Sequence, residues 1–190
     1  MTNMKTDTHP YVCPSEFAGS LDNPFRKWLH NPKRILKPFI QKGMTVLDLG
    51  CGPGVFTIEI AKMLQDSGKA IAADLQEGML EIISGKIKGT RLENMVELHK
   101  CEATSTGITE QADFILAFWM VHEVPNHDLL FRELKSILKP EGKILIAEPR
   151  MHVTGKAFKV MTDKIIRSGF EIIGRPKVFF SRALLLKHIN

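Results

Sequence analysis

The sequence reads as an α/β chain built on a mostly parallel sheet, and three observations carry that reading. From residue 44 onward, short apolar runs alternate with segments of helical periodicity. That is the βαβ repetition that gives a parallel sheet with right-handed crossovers. Two of the runs, ADFILAF (112–118) and GKILIAE (142–148), are almost continuously apolar, as strands covered on both faces are. Finally, a turn with glycine at every second position, Gly50, Gly52 and Gly54, follows the first run, at the kind of strand end where open α/β sheets bind ligands. With 190 residues, the chain is long enough for one sizeable core and leaves little for a second.

The elements follow in order. Residues 1–20 show no periodicity, contain Pro10 and Pro14, and read as an irregular arm. Between 21 and 40, Leu21, Phe25, Trp28 and Leu29, then Ile35, Leu36, Phe39 and Ile40, keep helical spacing broken by Pro24, Pro32 and Pro38. Two short helices are expected, with Asn23 and Asn31 before proline as start signals. The first strand is 44–49, followed by a helix over 55–65 that turns Phe56, Ile60, Met63 and Leu64 inward. The second strand is 69–74, followed by a helix over 77–88 facing the sheet with Met79, Leu80, Ile82, Ile83 and Ile87. Strands at 95–100 and 112–118 flank a connection, 101–111, too short for a full helix. A helix over 127–138 stops at the Lys-Pro-Glu-Gly run 139–142, and the fifth strand spans 142–148. A helix over 155–167, a strand over 170–174, a turn at Arg175, Pro176 and Lys177, and a last strand over 178–188 complete the chain.

Composition limits the function classes. No apolar run approaches the roughly 20 residues that span a bilayer. The start, MTNMKTDTHPYVCPSEF, lacks the apolar core of a signal peptide, so a cytoplasmic location is expected. Cys13, Cys51 and Cys101 are too few, and odd in number, for a disulfide framework, and read as reduced thiols. The net charge of +5 is uneven. Residues 23–47 hold six bases and no acid and residues 150–190 nine bases against Asp163 and Glu171, while 43–149 hold 10 bases and 16 acids. Basic flanks around an acidic centre could meet an anionic substrate, a membrane surface or RNA, or be solvated surface with no partner.

The chemistry concentrates in VLDLGCGPG (46–54) and in Asp74, which closes the second strand. A dinucleotide fingerprint spaces its glycines G-x-G-x-x-G, whereas position 55 here is Val55, which disfavours NAD. No Gly-Lys-Ser/Thr follows, which disfavours a P-loop. What remains is a loop built for close backbone approach, or a turn that only joins strand to helix. A carboxylate at a strand end is a strong acceptor for a vicinal diol. The candidate metal ligands, His99, Cys101, Cys13, His122, His127 and His152, show no C-x-x-C or H-x-x-x-H spacing, and no metal is expected.

The run resembles motif I of the class I S-adenosylmethionine-dependent methyltransferases, with Asp48 opening the D-x-G-x-G-x-G signature. The resemblance runs from Met44 to the C-terminus and is strengthened by LKPEGKILIAEP (138–149). It implies a Rossmann-like seven-stranded sheet of order 3-2-1-4-5-7-6, last strand antiparallel, with helices on both faces. It also implies residues 1–42 as arm and lid helices and 43–190 as the cofactor-binding unit. By the same resemblance, Asp48, Gly50, Cys51, Gly52 and Gly54 lie against the methionine part of S-adenosylmethionine. Asp74 with Leu75 takes the ribose hydroxyls, and Glu102 with Ala103 stands at the adenine position, where Glu replaces the commoner Asp. AFWMVHEVPN (117–126) resembles motif IV of the small-molecule branch, which includes quinone-biosynthesis and arsenite methyltransferases. It is not the Asn/Asp-Pro-Pro-Tyr of base and glutamine N-methylation, and it lacks the Pro-Cys of cytosine methylation.

The resemblance puts Phe118 beside the cofactor and Trp119 and Met120 near the transferred methyl, with core packing as the competing role. His122 and Glu123 stand where a base would act if the acceptor arrives protonated, although a histidine there can also simply pack beneath the cofactor. Phe17 and Trp28 in the lid, with Trp119 and Met120, tilt the acceptor towards an apolar or soft small molecule. Cys13 could contact a soft acceptor from the arm, or be incidental. The expectation is therefore methyl transfer to a small molecule, releasing S-adenosylhomocysteine. The alternatives are an RNA or protein methyltransferase using the basic flanks, with nucleic acid the less favoured partner, and a non-catalytic S-adenosylmethionine-binding module. The sequence carries no signal for an oligomeric state.

Overall fold

A computed structural model describes residues 30–189. The expectations for the arm, the first lid helix and Cys13, Phe17 and Trp28 concern residues outside this range.

Asn31 caps the first described helix, α1 (Pro32–Leu36), by accepting from Arg34 N at 3.0 Å, and Pro32 opens it. The central strand β1 (Thr45–Leu49) pairs in parallel with β2 (Lys69–Asp74) on one side and β4 (Ala112–Phe118) on the other. Outside β2 lies β3 (Val96–Lys100), and outside β4 lies β5 (Leu138–Pro149), both parallel to their neighbours. The last strand, β7 (Ser181–His188), inserts antiparallel between β5 and β6 (Phe170–Gly174). The order is 3-2-1-4-5-7-6.

Side chains alternate across the sheet, so each strand feeds two cores. Val46 joins α1, α2 (Val55–Leu64) and α3 (Glu77–Ile87) on one face through Leu36, Ile60 and Ile83. Leu47 and Leu49 join α4 (His127–Ile137) and α5 (Gly155–Arg167) on the other through Phe131, Leu134 and Ile165. Covering on both faces explains the unbroken apolar runs of β4 and β5.

The differences from the expected boundaries are local. Strand β5 begins at Leu138, not at residue 142, because Leu138 already pairs with Ala112 before the ladder shifts register to Phe114 and Lys143. The Lys-Pro-Glu-Gly run is thus an irregularity inside a strand. At the C-terminus, 178–180 form a turn, and the strand starts at Ser181. Met63 and Ile82, expected inward, are only half-buried on the flanks of their helices. The connection from β3 to β4 holds no helix, only a tight bridge between Glu102 and Ser105. No helix of the described residues is long and apolar enough to cross a membrane.

Candidate cofactor and active site

Crossovers leave β1 towards β2 and β4 towards β5 on opposite faces, so the chain separates beyond the carboxyl ends of β1 and β4 and opens a crevice. A cavity of about 410 Å³ occupies it, within the range of small-molecule sites. The predicted residues Asp48, Gly50, Cys51, Gly52, Asp74, Leu75, Glu102, Ala103, Phe118, Trp119, Met120, His122 and Glu123 all line it. Gly54 stands back from it. With φ +84 it caps α2, and a Cβ there would lie 2.7 Å from Ile83 Cγ1, so it serves the contact between α2 and α3.

The glycine loop is held from below. Ala73 O accepts from Gly50 N at 2.8 Å and Cys51 N at 3.1 Å, and Asp74 Oδ2 accepts from Gly52 N at 2.8 Å. Asp74 Oδ1 accepts from Gln76 N at 2.9 Å, so the carboxylate ties the loop to the start of α3. The Leu75 N–H also bears on the carboxylate, so three backbone donors engage its roughly four lone-pair sites. Burial raises the Asp74 pKa against the lowering pull of these N–H groups. At Gly50, φ is +68 and a Cβ would fall 2.7 Å from Met120 Cβ. Only glycine lets the turn after β1 approach the one after β4 this closely.

Beneath the loop, Thr57 Oγ1 on α2 donates to Asp48 Oδ2 at 2.6 Å, with both residues buried. Burial pushes the Asp48 pKa up to about 7, and the Thr57 bond resists that rise. The same burial raises Cys51 well above the usual thiol range and Cys101 to about 12. Both remain thiols at neutral pH, which rules out a thiolate nucleophile at either position.

At the far end, the Glu102–Ser105 turn is anchored through Thr106, whose N–H donates to Glu133 Oε2 at 2.7 Å and whose carbonyl lies 2.7 Å from His99 Nε2. Glu133, on α4, also lines the cavity. The turn is therefore fixed from two sides.

The opposite end is aromatic. Trp119 holds φ +61, a left-handed conformation costing a non-glycine residue about 1–2 kcal/mol. It is retained because Trp119 N donates to Ala147 O and Nε1 to Ser181 Oγ, each at 2.8 Å, while the indole stacks on Phe118 and meets the His30 ring at 4.8 Å. The kink turns Met120 onto Gly50 and leads into the short turn Val121–Glu123. Trp119 thus packs against the core and lines the cavity at once.

Under that turn lies Glu148, near the end of β5 and 0% exposed. Its Oε1 accepts from Val121 N at 3.0 Å, and its Oε2 lies 2.5 Å from His122 Nδ1. Burial disfavours a charged His122 ring, but the hydrogen bond and charge of Glu148 outweigh it, and the pKa is raised. Burial pushes Glu123 up to about 7. Sequence reasoning missed Glu148, Glu133, Thr57 and His30. The conspicuous Ala-Glu-Pro closing β5 was the available signal for Glu148.

A loop permitting close backbone approach, a strand-end carboxylate lining the cavity and a cavity of this size fit a nucleoside carrying an amino-acid chain. Together with the 3-2-1-4-5-7-6 sheet, they define a Rossmann-like methyltransferase-type site. The chain belongs to the methyltransferase domain family, which it matches over residues 40–174. Over 133 residues it is 32% identical to the demethylmenaquinone methyltransferase of Lactobacillus johnsonii, covering 70% of this chain and 51% of that protein. Over 135 residues it is 27% identical to the ubiquinone/menaquinone biosynthesis C-methyltransferase UbiE of a Shewanella species, covering 69% and 54%. The chain therefore spans about half the length of these curated relatives. Among solved structures, a SAM-dependent methyltransferase from Aquifex aeolicus superposes with a TM-score of 0.83 at 26% identity, covering 92% of this chain and 98% of that one. S-adenosylmethionine is the cofactor that this family and fold imply, and the residues present fit it.

Proposed function

We propose that the protein transfers the methyl group of S-adenosylmethionine to a small aromatic or otherwise apolar acceptor. The observation that carries this reading is Asp74: a carboxylate closing β2, bonded to the glycine loop at 2.8 Å and opening on the cavity. Its remaining acceptor capacity would take the ribose diol. Gly50, Cys51 and Gly52 lie along the methionine portion above buried Asp48. The Glu102–Ala103 turn, with Leu75, borders the adenine, and Phe118 packs beside it. The acceptor then enters between Trp119, Met120, His122 and Glu123. The names of the curated relatives support a quinol-type acceptor.

Bound S-adenosylmethionine supplies an electrophilic methyl on a sulfonium sulfur. The chain's own part is to align the acceptor with that carbon and exclude water, the orientation effect that makes the step effectively unimolecular. The Trp119–Ser181 bond and the close approach of Met120 to Gly50 position that end of the cavity.

The test is transfer of radiolabelled methyl to a panel of hydroquinones, thiols, arsenite and RNA. Product on a small acceptor supports the reading. Product on RNA alone, or cofactor binding with no product on any acceptor, refutes it.

A further inference from the structure

The buried contact between Glu148 and His122 has a chemical consequence. Glu148 is fully buried, with one oxygen committed to Val121 N–H and the other to His122 Nδ1. A carboxylate can only accept, so the proton on the second contact belongs to Nδ1. In the neutral ring Nε2 then carries a lone pair. The ring lines the cavity beside Met120, and its side chain is 21% exposed. Other titratable and charged groups surround it. Glu123 shares its turn, and the His152 ring from the loop after β5 meets it edge-on at 5.7 Å. His127 of α4 holds Val121 O at 2.9 Å, and Arg182 of β7, opposite Glu148 in the ladder, donates to Val153 O.

Resting on the methyl-transfer reading above, we propose that Glu148 is a positioning residue which fixes His122 as the general base, so that the acceptor is a hydroxyl compound that must be deprotonated. His122 Nε2 takes the proton of a phenol or hydroquinone O–H. The electron pair released at oxygen, or through the ring at the carbon beside it, forms the bond to the methyl carbon. The carbon–sulfur bond breaks with its pair on sulfur, cancelling the sulfonium charge, and the imidazolium proton passes to water. For a ring-carbon acceptor, the hydrogen it carried leaves as a second proton when aromaticity returns. An acceptor ionised before binding, such as an aryl thiolate, needs none of this.

Glu148→Gln tests the assignment, because an amide cannot accept from both Val121 N–H and Nδ1–H through two oxygens. With its NH₂ facing Nδ1, the neutral ring is forced to carry its proton on Nε2. The probes are 1,4-dihydroxynaphthalene and thiophenol, with ¹⁵N-histidine NMR on the full chain. The expected wild type shows a neutral His122 protonated at Nδ1, and kcat for the hydroquinone rises with pH through the His122 ionisation. In the variant, the proton moves to Nε2, the ionisation moves to lower pH, and hydroquinone kcat falls about 10²-fold, the low end of a general-base contribution, with KM little changed. The loss for thiophenol is at least tenfold smaller. His122→Gln, tested alongside, shows the same contrast between acceptors and stands in if Glu148→Gln does not fold. A neutral wild-type ring protonated at Nε2, an unchanged pH profile in Glu148→Gln, or equal losses for both acceptors overturns the assignment while leaving methyl transfer intact. A wild type that binds S-adenosylmethionine and methylates neither probe overturns both.

Discussion

Thr57→Val removes one hydroxyl and keeps the shape of the side chain, so it isolates the bond that supports Asp48. Thr57 is 0% and Asp48 2% exposed, and the bond is 2.6 Å long. At pH 6, below the Asp48 pKa of about 7, the carboxyl is mostly neutral, and the loss is that of an ordinary buried hydrogen bond, about 0.5–1.5 kcal/mol. At pH 8 the carboxylate is mostly ionised, and the loss rises to about 1.5–3 kcal/mol. The sign follows from proton binding. Between the ordinary value of 3.8 and about 7 the folded protein holds a proton that the unfolded chain has released, so Asp48 makes stability fall as pH rises. Without Thr57 the folded pKa climbs further and the fall extends to higher pH, each unit adding about 1.4 kcal/mol to the difference between wild type and variant. Urea unfolding of both proteins at pH 6 and pH 8, without cofactor, measures this. A loss equal at the two pH values, or below about 0.5 kcal/mol at pH 8, refutes the account of Asp48.

Gly50→Ala combines the cost of a left-handed alanine, about 1–2 kcal/mol, with about 1–3 kcal/mol of overpacking against Met120, and thermal unfolding should show the sum as a lowered Tm. Because Glu123 is raised to about 7 by burial, it too favours the folded state below its ordinary range and loses that contribution as pH rises through about 7. Glu123→Gln should therefore flatten the stability profile between pH 5 and pH 8 and raise the melting temperature at pH 8. An unchanged profile would show that Glu123 is hydrated.

Much of this fold was legible because its signals are local. The second and fourth strands, 69–74 and 112–118, and the last helix, 155–167, stand where periodicity put them, since burial on both faces or on one stripe leaves a repeat in the residues themselves. Asn31 and Pro32 open α1 because a cap and a proline act within one turn. What the sequence could not give depends on distant pairing. The Lys-Pro-Glu-Gly run has every local mark of a turn, yet Leu138 beside Ala112 draws it into β5. Glu148 and His122 lie 26 residues apart and meet only because the chain after β4 bends over the end of β5. Trp119 could not be seen as left-handed, because the Ser181 bond that helps hold it there comes from β7. The glycine-loop end of the cavity was thus readable as a motif, while the end at Trp119, Met120 and His122 is a product of tertiary packing.

Titration calorimetry of the full chain with S-adenosylmethionine, for wild type and Asp74→Ala, asks whether the proposed cofactor sits at the end of β2 and is held through Asp74. The wild type should bind at one site per chain, and the variant should bind more weakly by about 1.5–3 kcal/mol as charge-assisted bonds to the ribose are lost. No saturable binding by folded wild type, or equal affinity in the two proteins, would contradict it.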